Sequence, residues 1–167
     1  QVSRLIGRYL EDNDRHVVLI DSNQNNIQLA QEMGLEAFNT DIYSESLDDN
    51  IELNDVGFLM ALTGSANINE YAIDKFGEQF GENGSFRLIS VDEINDPNNS
   101  PKEGLFSHTD DFILLTEVAR KYPKIHEITI KDRAHFEELI ELTNKDENRI
   151  PLLVKDKRGV LEIISSN

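Results

Sequence analysis

Only a few residues of this chain could do chemistry. The apolar run His16 to Asp21 (HVVLID) ends on an acid, and an acid that closes a strand ahead of a helix has two common uses. It can take the ribose hydroxyls of a nucleotide, or it can cap the helix by accepting from its first free amides; both readings of Asp21 stay open. Tyr71 and Lys75 in YAIDK have the Y-x-x-x-K spacing at which a lysine lowers the pKa of a proton-donating tyrosine. Tyr71 lies too close behind Asp21, and Ser65 too close before Tyr71, for that enzyme arrangement, so the match is coincidence and Tyr71 belongs to the core face of its helix. HTDD (108–111) has the composition of a cation site, but a helix N-terminus with acids in its first turn explains it more economically. His16, His108, His126 and His135 show no ligand spacing, and with no cysteine there is neither a thiolate site nor a disulfide. No catalytic set and no metal site is expected.

The elements that position these residues alternate. VSRLIGRYLED (2–12) puts Val2, Leu5, Ile6, Tyr9 and Leu10 at helical spacing, and HVVLID is a short buried-type strand. NQNNIQLAQEM (23–33) is helical and stops at Gly34; LEAFNTD (35–41) is a strand, SESLDDNIEL (44–53) a short helix with a solvated acidic face, and VGFLMALTG (56–64) a strand entering a Thr-Gly turn. A helix over 67–81 and a strand, SFRLISV (85–91), complete the run. Helices between buried strands argue for a parallel sheet with right-handed crossovers. DEINDPNNSPKEG (92–104) lacks periodicity and reads as a linker. Beyond it GLFS (104–107), a helix over 110–121, the strand HEITI (126–130), a helix over 132–143 and a hairpin of RIPLLV and VLEIIS around KDKRG form a small unit of their own, with Gly159 free to take positive φ. The division is therefore 1–91, a linker at 92–103, and a C-terminal subdomain at 104–167.

At 167 residues, 38% hydrophobic and 29% charged, the composition is that of a globular domain. No apolar run approaches the roughly 20 residues a membrane-spanning helix needs. Thirty-two acids against sixteen basic residues give a net charge of −16, which repels phosphate backbones, so nucleic acid is excluded as a partner.

Three stretches carry a family resemblance: QVSRLIGRYLEDNDRHVVLIDSN, FNTDI and MALTGSANINEYAIDKFGEQFG. Together they resemble the N-terminal domains of Trk-type potassium-uptake regulators, the TrkA-N or RCK domains, over roughly residues 1–91. The resemblance implies a Rossmann-like α/β fold whose glycine turn, G-x-G-x-V-G, holds a pyrophosphate at a helix N-terminus. Gln1-Val2-Ser3 aligns with the last three positions of that motif, so the first, central strand and half of the turn are expected to be missing, and Ser3 stands where the third glycine would be. The strands on either side should then show unpaired edges, to be filled by upstream residues, a swapped strand or another chain. By the same resemblance, Asp21 is the ribose acid and Ser22 follows it at the turn; Asp41 and Ile42 flank the adenine; Thr63 and Asn69 line the phosphate side. Each of these also has a plain structural reading as a cap or turn residue.

What the resemblance implies for function is a non-enzymatic regulatory domain of a Na+/H+ or K+/H+ antiporter or a K+ uptake system. It would lie on the cytoplasmic side of the membrane, dimeric, beside the transporter's membrane domain on the same polypeptide or a separate subunit, with an adenine nucleotide such as NAD(H) or AMP as its ligand. A degenerate Rossmann module kept for dimerisation and docking is the alternative, and an NAD-dependent oxidoreductase a more distant one.

Overall fold

The computed structural model describes residues 1–45, 47, 56–98, 104–106 and 111–165. Helix α1 (Val2–Asp12) leads into strand β1 (Val18–Asp21), helix α2 (Gln24–Glu32) and strand β2 (Glu36–Asn39). After the segment whose helix was expected over 44–53, which lies largely outside the described residues, come β3 (Phe58–Ala61), α3 (Ala66–Phe80), β4 (Gly84–Arg87) and the short α4 (Val91–Asn95). Helices α5 (Phe112–Lys121) and α6 (Arg133–Lys145) and strands β5 (Leu153–Lys155) and β6 (Leu161–Ile163) follow.

The local signals work as their chemistry requires. Gly34, at φ 78°, ends α2 where a side chain would be strained. Asn23 starts α2 by accepting from the amides of Asn25 and Asn26, and Ser65 starts α3 by accepting from Ile68. Where the strand over 85–91 was expected to pass into the linker, Ser90 and Glu93 cap α4 reciprocally, so this helix begins three residues after β4.

Two parallel pairs form the α/β core. β1 pairs with β2 from Val18 opposite Glu36 to Asp21 opposite Asn39, and β3 pairs with β4 from Phe58 opposite Gly84 to Ala61 opposite Arg87. β1 and β3 do not pair with each other, so among the described residues each leaves one edge open. The two halves are held together across their faces instead. On one side Phe76 and Phe80 of α3 pack with Val18 and Ile20 of β1, Phe38 of β2 and Leu59 of β3. On the other, Val2 and Ile6 of α1 bury against Leu88, Leu105 and Phe106, with Met60 and Phe86 of the β3–β4 pair packed alongside. Layers of this kind, helix on sheet on helix, bury enough apolar surface to hold the open edges in place.

The C-terminal residues extend the second half of the sheet. Gly104 bridges Arg87 in the parallel sense and Leu105 bridges Ser165 antiparallel, with hydrogen bonds from the Leu105 amide to the Arg87 carbonyl and from the Phe106 amide to the Ile164 carbonyl. Leu105 and Phe106 are among the most buried side chains. β5 and β6 form the expected antiparallel hairpin, and Gly159 turns it at φ 83°. One element departs from expectation: HEITI is not a strand, because among the described residues nothing pairs with its backbone. No helix among the described residues is long and apolar enough to cross a membrane.

Candidate functional site

β1 delivers Asp21 to the carboxyl edge of the parallel β1–β2 pair, the edge at which α/β sheets bind ligands. Its Oδ1 accepts from the Asn23 amide at 2.8 Å and its Oδ2 from Asn26 Nδ2 at 2.8 Å. The cap of α2 is Asn23, two residues on, so the Asp21 carboxylate braces the turn without being the cap. Two acceptor oxygens offer about four lone-pair sites, and two remain. Asn26 also reaches Arg4 Nη1 through its Oδ1 at 3.4 Å, a long contact that sets the first turn of α1 beside Asp21. Gln1 is the N-cap of α1 and makes no side-chain cap; its amide instead donates to the Ala119 carbonyl of α5 at 3.0 Å. Ser3 is half-buried in that first turn.

The end of β2 closes on the same place. Asn39 Nδ2 donates to the Ser22 carbonyl at 2.9 Å and the Thr40 amide to the Asp21 carbonyl at 3.2 Å. Asp41 is exposed, and its carboxylate accepts from the Tyr43 amide at 2.9 Å, a local turn that sets the chain direction. Ile42 packs against the Leu47, Phe76 and Phe80 cluster under α3. Asp21, Ser22 and Asp41 thus gather at one edge, with Ile42 turned into the core beneath them. A cavity of about 300 Å³ lies between α1 and α2, lined by Arg4, Leu5, Leu29, Glu32 and Met33 with Gln1 at its mouth.

The β3–β4 edge is built differently. Asn69 is 2% exposed, and its side chain bonds to one residue through both its oxygen and its nitrogen. Its Oδ1 accepts from the Thr63 amide at 3.0 Å and the Thr63 hydroxyl at 2.7 Å, while its Nδ2 donates to the Thr63 carbonyl at 3.0 Å. Phe112, the first residue of α5, lies over the turn so closely that a Cβ at Gly64 would sit 3.0 Å from its ring. What space is left is a cavity of about 130 Å³ lined by Thr63, Ala66, Ile89, Val91, Asp111 and Ile113. That is below the roughly 300 Å³ at which small-molecule pockets begin. No hydrogen bond links Asp21 with Thr63 among the described residues.

Beside this edge Arg87 is buried at the end of β4 and forks onto Glu93, Nη2 to Oε1 at 2.6 Å and Nη1 to Oε2 at 3.2 Å. The bidentate guanidinium holds the Glu93 carboxyl down to about 2, against the cost of desolvating it, with the Ser90 amide and hydroxyl adding to the effect.

Tyr71 meets Tyr43 at a tilt, 4.6 Å between ring centroids, and Phe76 edge-on, which puts it in an aromatic cluster on the core face of α3, as expected. Of HTDD, residues 108–110 lie outside the described residues; Asp111 caps α5 by accepting from the Leu114 amide at 2.8 Å. Sequence reasoning missed Asn26, Arg4 and Phe112. Asn26 was legible in principle, as the third residue after the cap in the run DSNQNN, but Phe112 over Gly64 is a contact between distant parts of the chain that no local pattern announces.

A family model described as TrkA-N domain matches residues 1–84, half of the chain. The chain belongs to the TrkA-N family. Neither the curated proteins nor the solved structures contain a match to it. TrkA-N domains are typical of the regulatory domains of K+ transport systems, and they commonly bind NAD(H).

Proposed function

We propose that this TrkA-N domain is the regulatory part of a monovalent-cation transporter, a Na+/H+ or K+/H+ antiporter or a K+ uptake system. It acts as a dimer on the cytoplasmic side of the membrane, beside the transporter's membrane domain. Its ligand is an adenine nucleotide such as NAD(H) or AMP, bound at the β1 edge once a parallel strand fills the slot between β1 and β3. Asp21 takes the ribose hydroxyls, Ser22 and Asp41 line the adenosine side, and the uncapped N-terminus of α1 with Arg4 faces the phosphates. A ligand bound there shifts the transporter by favouring one arrangement of α1 against the rest of the sheet.

The observation that carries this reading is Asp21 at the carboxyl edge of a parallel pair, with Asn23 doing the capping and two acceptor sites left over. Calorimetric titration of NAD, NADH, AMP and ATP against the chain in its full-length polypeptide tests it. Binding of at least one of them, weakened about tenfold or more by Asp21→Ala, is expected; each ribose hydroxyl bonded to a carboxylate is a charge-assisted pair. No heat from any of the four, or binding that Asp21→Ala leaves unchanged, contradicts it.

The second reading, a docking module without a ligand, is favoured by a specific pair of observations. Ser3 fills the position of a glycine that lets a helix approach the sheet, and Asn69 is buried with both its oxygen and its amide nitrogen bonded to Thr63. The same titration separates the two.

A further inference from the structure

The two parallel pairs open toward one side of the molecule. Tyr43, four residues past β2, meets Tyr71 in the second turn of α3 at 4.6 Å between ring centroids, so the carboxyl ends of β2 and β3 lie near each other. A dinucleotide bound at such an edge spreads over both mononucleotide-binding halves of an α/β sheet, one nucleoside on each. A mononucleotide occupies one half only. The β3 half, which an adenosine on Asp21 does not use, therefore decides which of the two ligand classes fits.

That half is closed in three respects. It lacks room: the cavity at the Thr63-Gly64 turn holds about 130 Å³, well under the roughly 300 Å³ at which pockets for small molecules begin. It lacks partners: the Thr63 hydroxyl donates to Asn69 Oδ1 at 2.7 Å, the Ser90 hydroxyl to Glu93 Oε2 at 2.9 Å, and Asp111 accepts from the Leu114 amide at 2.8 Å. The polar side chains lining this cavity are thus already bonded within the protein, and ribose hydroxyls brought there would give up water for little in return. It also lacks a path. Phe112 lies on Gly64, two of its ring carbons 3.0 and 3.1 Å from the place of a Cβ, and seven residues on, the Ala119 carbonyl accepts from Gln1 Nε2 at 3.0 Å. At about 1.5 Å per residue, α5 spans the interval from the β3 turn to the first residue of α1. Leu115 and Ala119, buried in one cluster with Val2 and Ile6, fix it there. At the β1 half, by contrast, Asp21 has acceptor sites that no group among the described residues fills, and Ser22 and Asp41 are exposed.

We infer that this site takes a ligand with one nucleoside, an adenosine mono- or diphosphate, and rejects a dinucleotide, and that Phe112 sets the choice. The inference rests on the nucleotide reading above and narrows it to one ligand class. Phe112 is the specificity residue because it is the large side chain lying on the turn. At 40% exposed, it can be shortened to widen the cavity without removing a buried core residue.

Calorimetric titration of the full-length polypeptide with AMP, ADP and NADH, in wild type, Phe112→Ala and Phe112→Leu, tests this. ADP and NADH share the adenosine and the pyrophosphate, so the difference between them reports the second nucleoside alone. Wild type should bind ADP at least about tenfold more tightly than NADH. Phe112→Ala should bring the two within about threefold by strengthening NADH, with AMP binding unchanged, which also shows that the variant is folded. Phe112→Leu keeps most of the bulk and should stay near wild type. NADH bound by wild type as tightly as ADP, a preference for ADP that survives Phe112→Ala, or a loss of AMP binding in that variant overturns the inference and leaves a nucleotide site in place. No binding of any of the three to wild type overturns the nucleotide reading, and the inference with it.

Discussion

The two halves of the sheet differ in how the polar groups at their carboxyl ends are used. At the carboxyl end of β1, Asp21 keeps acceptor sites that no group among the described residues fills, and Ser22 and Asp41 are exposed around it. At the carboxyl ends of β3 and β4, the polar groups are matched to one another: Asn69 to Thr63, Arg87 to Glu93, with Phe112 laid over Gly64. The difference separates two meanings of a polar residue after a strand. One kind leaves capacity for a visitor, and the other is used up in fixing the backbone, so mutating the second should cost stability and mutating the first should cost binding.

Asn69→Ala should have the largest effect on stability. It strips the Thr63 turn of three hydrogen bonds and empties the buried site of the Asn69 side chain, a loss of about 2–4 kcal/mol in urea unfolding. A loss within about 0.5 kcal/mol would mean the β3 edge is as open as the β1 edge.

Glu93→Gln comes next, at about 1–2 kcal/mol at neutral pH after allowance for solvent screening. The folded pKa of about 2 lies below the ordinary carboxyl value of 4.5, so the contribution is complete above pH 4.5 and is lost as pH falls toward 2. The stability gap between wild type and Glu93→Gln should therefore close across that window; a gap that stays constant with pH would show that the ion pair is not its source.

Gly64→Ala sharpens the role of Phe112. The added Cβ meets the ring at 3.0 Å, but Phe112 is partly exposed and can swing away, so a change of no more than about 1 kcal/mol is expected by thermal unfolding. Asp21→Ala should change stability least, by about 0.5 kcal/mol, because its two hydrogen bonds lie at the surface and Asn23 remains to cap α2. A large destabilisation by Asp21→Ala would move Asp21 into the same class as Asn69.

Much of this was legible in the sequence, for local reasons. HVVLID and VGFLMALTG announce buried strands because apolar β-branched runs have few other places to go, and Gly34 and Gly159 announce ends and turns because positive φ strains other residues. The resemblance placed Asp21 correctly at a strand end. It did not reveal that Asn23 does the capping, which takes the hydrogen-bond geometry to see. HEITI misled because a β-branched run reports an extended backbone and says nothing about burial or a pairing partner. Arg87 against Glu93, and Gly104 and Leu105 stitched between β4 and Ser165, depend on long-range register that periodicity does not encode. Ser90 and Glu93, by contrast, form a capping box that was there to be read across the junction of the expected strand and linker.

Amide chemical-shift mapping of an adenine nucleotide, AMP or NADH, on the isotopically labelled chain in its full-length polypeptide tests the contrast between the two edges most directly. Shifts concentrated over Asp21 to Asn26 and at Asp41, absent in Asp21→Ala, with Thr63 to Asn69 little changed, are the predicted result. Shifts centred on Thr63 to Asn69, or none at either edge, would contradict it.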